Sequence, residues 1–215
     1  MKISILCTNP THPVNAYLLT WIERHGRNHE INLVRSKSEL VSGDMLFLVS
    51  CSEILTAKDR APHGVTLVLH GSDLPRGRGW SPHIWELTAG ASHITLSLLE
   101  AQDKVDSGKI WKKVRIPVPP TALWDEINHL LFLGEVELMD FALASYGRIQ
   151  PQEQPEDVQP TYYRLRTPQD SRIDPFQSLA DQFDLIRTCD PNRFPAFFEY
   201  RGRRFALKLE RLNEE

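Results

Sequence analysis

Cysteine is scarce in this sequence and forms no pattern. Cys7, Cys51 and Cys189 are odd in number, widely separated and never in a CxxC arrangement, which fits neither a disulfide framework nor a zinc knuckle. A reducing cytoplasm is the compartment this usage predicts. Long apolar runs are absent too: no stretch approaches the ~20 residues of a membrane span, and the opening MKISILCT has neither the apolar length nor the cleavage site of a signal peptide. The expectation is a chain neither embedded nor secreted, with no membrane partner. An excess of positive charge is also missing. With 25 Lys and Arg against 28 Asp and Glu the formal charge is -3, so no overall basic field gathers a polyanion by counterion release, and nucleic acid is not an expected partner. His12, His63, His83 and His93 lack ligand-set spacing, so no metal site is expected. No internal repeat is present.

What remains suits a folded globule. Hydrophobic residues make up 41% and charged residues 25% of 215 residues, enough to bury a sizeable core in one domain, with or without a small appendage. KISILC is a continuous apolar run ending in TNPTHP, as a buried parallel strand entering a loop would be. VNAYLLTWIERHG places apolar residues at helical spacing and stops at Gly26. HEINLVRS, DMLFLVSCSEIL and GVTLVLH read as three further strands, which begins an open α/β sheet. In such sheets ligands sit beyond the carboxyl ends of the strands, where His70 falls. SPHIWELTAG reads as a helix, HITLSLLEA and KKVRIPV as strands, and TALWDEINHLLFLGEVELMDFALASYG as one or two helices.

The segment QPQEQPEDVQP is rich in Gln, Pro and acids, with Val158 its one aliphatic residue besides proline, and reads as a linker or surface loop. It divides residues 1–150, a core, from residues 151–215, a linker and small C-terminal α+β unit in which SLADQFDLIRTC is a helix and FPAFFEY and FALKLE are strands of a hairpin. That hairpin can pair across a two-fold axis, giving a homodimer, or close its own small sheet. The RGRR tip reads as exposed.

The costliest stretch is HGSDLPRGRGWSPHIW, residues 70–85, with three glycines, two prolines, two arginines and two tryptophans directly after an apolar strand. Freezing glycine is expensive in backbone entropy, so such a loop implies something worth holding. Histidine suits proton transfer near neutral pH, and a nearby carboxylate would orient it and stabilise its charged form.

Two blocks of this region resemble the signature of the formyltransferase superfamily that uses 10-formyltetrahydrofolate, whose members include methionyl-tRNA formyltransferase, glycinamide ribonucleotide formyltransferase and the sugar-nucleotide N-formyltransferases. His70, Ser72, Leu74, Pro75, Arg78 and Gly79 match the family's N-x-H-x-S-x-L-P-x-x-(R/K)-G block, and Asp106 in KVDSGKI stands 36 positions after His70. DMLFLVSCSEIL and YYRLRTPQDSRID also resemble family segments, so the likeness runs from Met1 to about Asp174. It implies a Rossmann-like formyltransferase core with a mostly parallel sheet, with 10-formyltetrahydrofolate as co-substrate. His70, Asp106 and Ser72 would then be catalytic, His70 moving protons and Asp106 orienting it. Ser50, Cys51, Ser52, Glu53 and Ile54, with Val105, would hold the pterin. Arg76 and Arg78 carry two readings, forks for the phosphates of a nucleotide or solvated loop charges. Trp80 would pack or wall the cleft, and Trp85 would pack.

One position departs from the pattern: the family asparagine two residues before the histidine is Val68 here. Valine cannot donate to an oxyanion, and losing one such donor typically costs ~10² to 10³ in rate. The Ser72 hydroxyl, a backbone N–H of the Gly71–Ser72 turn or protonated His70 would have to substitute, or the protein turns over slowly or only binds. Formylation of initiator tRNA would call for a large basic C-terminal domain, which residues 151–215 of a chain with net charge -3 are not expected to make, and the TPQDSRID extension is foreign to the glycinamide ribonucleotide enzymes. The resemblance therefore points to small-molecule partners, a nucleotide-linked amino sugar and the folate.

Overall fold

The computed structural model describes residues 1–212. In chain order the elements are β1 (Lys2–Leu6), α1 (Val14–His25), β2 (Glu30–Val34), β3 (Gly43–Leu48), α2 (Ala57–Arg60), β4 (His63–His70), β5 (Arg78–Gly79), α3 (Pro82–Thr88), β6 (His93–Glu100), β7 (Ile110–Pro117), α4 (Trp124–Ser145), β8 (Tyr162–Tyr163), α5 (Phe183–Arg187), β9 (Ala196–Tyr200) and β10 (Arg203–Leu207). The expected core strands form one six-stranded sheet in the order β2-β1-β3-β4-β6-β7. Strands β2, β1, β3 and β4 are mutually parallel. β6 runs antiparallel to β4, and β7 antiparallel to β6. The mostly parallel α/β core expected from the sequence is thus present, and the hairpin of β9 and β10 follows it as a separate two-stranded sheet. No described helix is long and apolar enough to cross a membrane.

Side chains alternate across each strand, and the two faces are covered differently. Met45, Phe47, Leu67 and Leu69 join the larger cluster, to which α1 contributes Leu18 and Trp21, α3 contributes Leu87, and α4 contributes Leu131, Leu138 and Met139. Leu46 and Leu48 face the other way into a small cluster with Leu6, Val34 and Leu55, packed by Val68 and Cys51. Long helices cover one face; short segments cover the other. The α1 stripe of Val14, Leu18 and Trp21 is wholly buried, and the Trp21 Nε1–H donates to Asp140 Oδ1 of α4 at 2.7 Å, locking the two helices together.

The strand order fixes where a ligand can go. From β1 the chain crosses to β2 on one side and returns to β3 on the other, so the loops after β1 and β3 diverge and open a crevice at the carboxyl edge. β4, next to β3, ends at His70 beside that crevice.

Two sequence expectations need adjustment. SLADQFDLIRTC was expected to be helical throughout, yet only Phe183–Arg187 is α-helical. The Gln182 side chain supplies the reason: its amide donates to Asp174 O at 2.9 Å and its Oε1 accepts from the Asp174 N–H at 2.6 Å, closing a loop where a helix would begin. Residues 150–160, expected to be a linker or surface loop, also make specific bonds: Gln152 forms an isolated antiparallel bridge with Ile110. Directly after them β8 pairs in parallel with β5 of the glycine-rich loop.

Candidate active site

A cavity of about 750 Å³ lies along the carboxyl edge of the sheet, walled by the loops after β1, β3 and β4, by α3 and α4, and by C-terminal residues. Its size is that of small-molecule sites in general. His70 and Asp106 both line it. Their side chains are 8% and 7% exposed, with His70 Nδ1 and Asp106 Oδ1 3.6 Å apart. The other ring nitrogen is fixed: Nε2 sits 2.8 Å from the Gly77 carbonyl oxygen, which can only accept, so Nε2 carries a proton. In the neutral ring Nδ1 then holds the lone pair. Protonation at Nδ1 gives an imidazolium with a carbonyl on one side and a carboxylate on the other, an arrangement suited to taking a proton and returning it.

Asp106 is held as deliberately. Its Oδ2 accepts the Gly79 N–H at 2.8 Å, and its backbone is left-handed with φ 53, a conformation that Asp adopts more readily than most residues and that recurs at functional sites. Gln154 reaches in from the C-terminal segment, its Nε2 donating to the carbonyls of Asp106 at 2.8 Å and Gly108 at 3.0 Å. Sequence reading had no access to Gln154, because its partners lie more than forty positions away.

The loop after β3 forms an adjoining wall. Ser50, Cys51, Ser52, Glu53, Ile54 and Leu55 line the cavity, with Val68, Ala101 and Val105. The loop is pinned from two sides. Thr8 Oγ1 accepts the Ser52 N–H at 3.1 Å, and Glu53 Oε2 accepts the Lys37 N–H at 3.0 Å while Lys37 Nζ donates to Ile54 O at 3.2 Å. Burial pushes the Cys51 thiol up to about 11, so it lines the wall as a neutral small side chain. Leu48, Leu55, Val68 and Val105 give this part of the cavity an apolar lining beside the polar residues Ser50, Ser52 and Glu53.

Three candidates stand elsewhere. Ser72 is fully buried but is not on the cavity wall; its N–H is donated to His70 O at 3.0 Å and its carbonyl accepts from Ser97 Oγ at 2.7 Å. Arg76 is exposed outside the cavity lining. Arg78, 5% exposed, turns away to donate to Gln154 Oε1 at 2.6 Å and the Tyr162 hydroxyl at 3.2 Å. With both terminal nitrogens on protein partners and Nε buried, it fastens the return segment and does not line the cavity. Trp80 does line the cavity and is 40% exposed. Trp85 stacks on Tyr163 at 6.0 Å and lies under the guanidinium of Arg164.

The cavity lining also contains residues to which the sequence assigns no role in the site: Asn9, His12, His83, Glu135, Arg166 and Arg193. Burial, then Arg193, depress His12 to about 4. Burial alone pushes Glu135 up to about 8, and its Oε2 has no hydrogen-bond partner. One signal for it was available: Glu135 falls on the buried stripe of α4 with Leu131, Leu138 and Met139, and an acid on an apolar stripe is unusual. Among the described residues no group of three or more His, Cys, Asp or Glu converges as a metal site would require.

A family model described as formyl transferase matches residues 23–143, more than half of the chain. The chain belongs to the formyl transferase family. It is therefore a formyl-group transferase enzyme. Solved structures extend the likeness in fold to the whole chain. Methionyl-tRNA formyltransferase from Clostridium thermocellum superposes with a TM-score of 0.83 at 22% identity, over 99% of this chain and 94% of that one. A sugar N-formyltransferase from Shewanella sp. gives 0.73 at 13% identity, over 100% and 99%. HypX from Aquifex aeolicus, in complex with tetrahydrofolic acid, gives 0.76 at 18% identity, over 95% of this chain and 36% of HypX.

Proposed function

We propose that this formyl transferase moves the formyl group of 10-formyltetrahydrofolate to the amine of a nucleotide-linked amino sugar. The observation that carries the reading is the enclosed His70–Asp106 pair at the mouth of the sheet, 3.6 Å apart inside the cavity. The apolar slot bounded by Leu48, Leu55, Val68 and Val105 fits a pterin, and when bound there the folate supplies the formyl carbon and its leaving nitrogen. His70 Nδ1 takes the proton of the attacking amine, Asp106 holds the resulting imidazolium, and the same proton returns to the departing nitrogen. Ser50, Ser52, Glu53 and Ile54 supply the main-chain edge of the slot.

The cations that line the cavity are not the expected ones. Arg76 and Arg78 do not line it, whereas Arg166 and Arg193 do, and their guanidinium groups suit an anionic acceptor. The full-length correspondence in fold with a sugar N-formyltransferase is compatible with this acceptor class, and methionyl-tRNA formyltransferase shows a full-length correspondence of the same kind. Binding without turnover is favoured by one observation, that Val68 lines the cavity and offers no donor. The deciding experiment incubates the protein with 10-formyltetrahydrofolate and a panel of nucleotide amino sugars, following tetrahydrofolate release and a gain of ~28 Da on the sugar. Turnover that disappears in His70→Ala and Asp106→Ala supports formyl transfer by this pair. Folate binding without turnover on any sugar, or turnover that survives both substitutions, rejects it.

A further inference from the structure

A formyl carbon attacked by an amine passes through a tetrahedral oxyanion, and a donor aimed at that oxygen is among the largest contributions an enzyme makes. The polar groups flanking His70 are mostly committed or set off the cavity. The Ser72 N–H is on the His70 carbonyl, and the Ser72 hydroxyl, though without a hydrogen-bond partner, is enclosed off the cavity wall. The Gly79 N–H is on Asp106, and His70 Nε2 is on the Gly77 carbonyl. Val68 has no donor.

His83 is free. It lies near the start of α3, lines the cavity, and neither ring nitrogen is engaged in a hydrogen bond among the described residues. Its Nδ1 is 2.9 Å from where a side chain on Gly71 would begin, so the ring rests against the backbone immediately after His70. Burial first, then the nearby imidazoles of His70 and His12 and the Arg166 guanidinium, hold it down at about 3. A ring kept neutral through the working pH range has one N–H to donate and does not compete with His70 for the amine's proton. Neutral imidazoles serve as electrophiles elsewhere in enzymology.

We propose that His83 is a catalytic residue of this enzyme, donating its ring N–H to the formyl oxygen as negative charge develops there. This rests on the folate-dependent reading above. In the balanced step the amine lone pair bonds to the formyl carbon, the carbonyl π pair moves onto oxygen beside His83, and the amine proton passes to His70 Nδ1. The oxyanion then collapses, the bond from carbon to the folate nitrogen breaks, and that nitrogen takes the proton back from His70. His83 donates a hydrogen bond throughout and keeps its proton.

The test compares two ligands by calorimetry: tetrahydrofolate, and a folate analogue whose carbon-linked aldehyde hydrates to a tetrahedral gem-diol. His83→Phe keeps the ring volume and removes the donor; His83→Gln restores one. The proposal expects His83→Phe to bind tetrahydrofolate within about two-fold of wild type while losing ~10²-fold in affinity for the gem-diol, and His83→Gln to recover most of that loss. Unchanged affinity of His83→Phe for the gem-diol overturns it. So does a parallel loss for both ligands, which would make His83 a wall of the cavity. If the wild type binds neither ligand, the folate reading fails and takes this inference with it; tetrahydrofolate binding without discrimination by His83 defeats this inference alone.

Discussion

Replacing Glu135 with glutamine should stabilise the protein progressively as pH rises. The folded-state pKa is raised from 4.5 to about 8, with burial as its cause, and Glu135 is 6% exposed with Oε2 unpartnered. Below pH 4.5 the carboxyl is protonated in both folded and unfolded states, and ionisation imposes no penalty. Between there and about pH 8 only the unfolded chain loses the proton, so wild-type stability relative to a neutral isostere falls by about 1.4 kcal/mol per pH unit. The accumulated penalty is about 3 kcal/mol at pH 7 and levels off at about 5 kcal/mol above pH 8, both as upper limits. The neighbouring His12, depressed to about 4 by burial and Arg193, titrates below most of this window and is common to both proteins. Urea unfolding of wild type and Glu135→Gln at pH 5, 6, 7 and 8 measures the difference directly. A pH-independent difference would refute the reasoning, because it would mean that the ionised carboxylate already has water or a cation beside it.

Three further outcomes follow from the site. Asp106→Asn keeps an acceptor for the Gly79 N–H but loses the charge facing His70 Nδ1; turnover should fall by ~10² to 10³ with tetrahydrofolate affinity and unfolding midpoint little changed, as steady-state kinetics and denaturation would show. Gly71→Ala places a methyl 2.9 Å from His83 Nδ1 and 3.3 Å from its Cβ and Cγ; the ring must shift, and kcat should drop at least ~10-fold if that ring serves the oxyanion, whereas unchanged kcat would count against it. Arg78→Ala strips Gln154 and Tyr162 of a buried charged partner, costing about 2–4 kcal/mol, and should expose residues 151–163 to limited proteolysis; resistance equal to wild type would show that the segment is held by other means.

The sheet was legible because its strands are apolar runs of strand length, and strands buried on both faces need no alternation to be recognised. The reversed direction of β6 was not: KISIL and HITLSLLE look alike, and direction depends on where the glycine-rich loop and α3 deliver the chain. The His70–Asp106 pair was visible only through a spacing of residue types, since nothing local to KVDSGKI says that its aspartate meets a histidine 36 positions earlier. Arg78 misled for the opposite reason. An arginine among glycines after a strand invites a phosphate, but its partners Gln154 and Tyr162 are 76 and 84 residues away and carry no mark of it.

The geometry of three consecutive residues accounts for the composition of the loop. Gly77 presents its carbonyl to His70 Nε2, Arg78 turns out to Gln154 and Tyr162, and Gly79 presents its N–H to Asp106. Gly77 and Gly79 have positive φ, and a Cβ at Gly79 would lie 2.3 Å from the Tyr163 carbonyl oxygen, so neither tolerates a side chain without strain. These three residues therefore orient both members of the proposed proton-transferring pair, and β5 pairs with β8. On the proposed mechanism the C-terminal segment then bears on turnover: through Gln154 on Asp106 and through β8 on the loop, it helps hold the His70–Asp106 geometry. Loosening residues 151–163 should accordingly depress turnover before it affects the sheet.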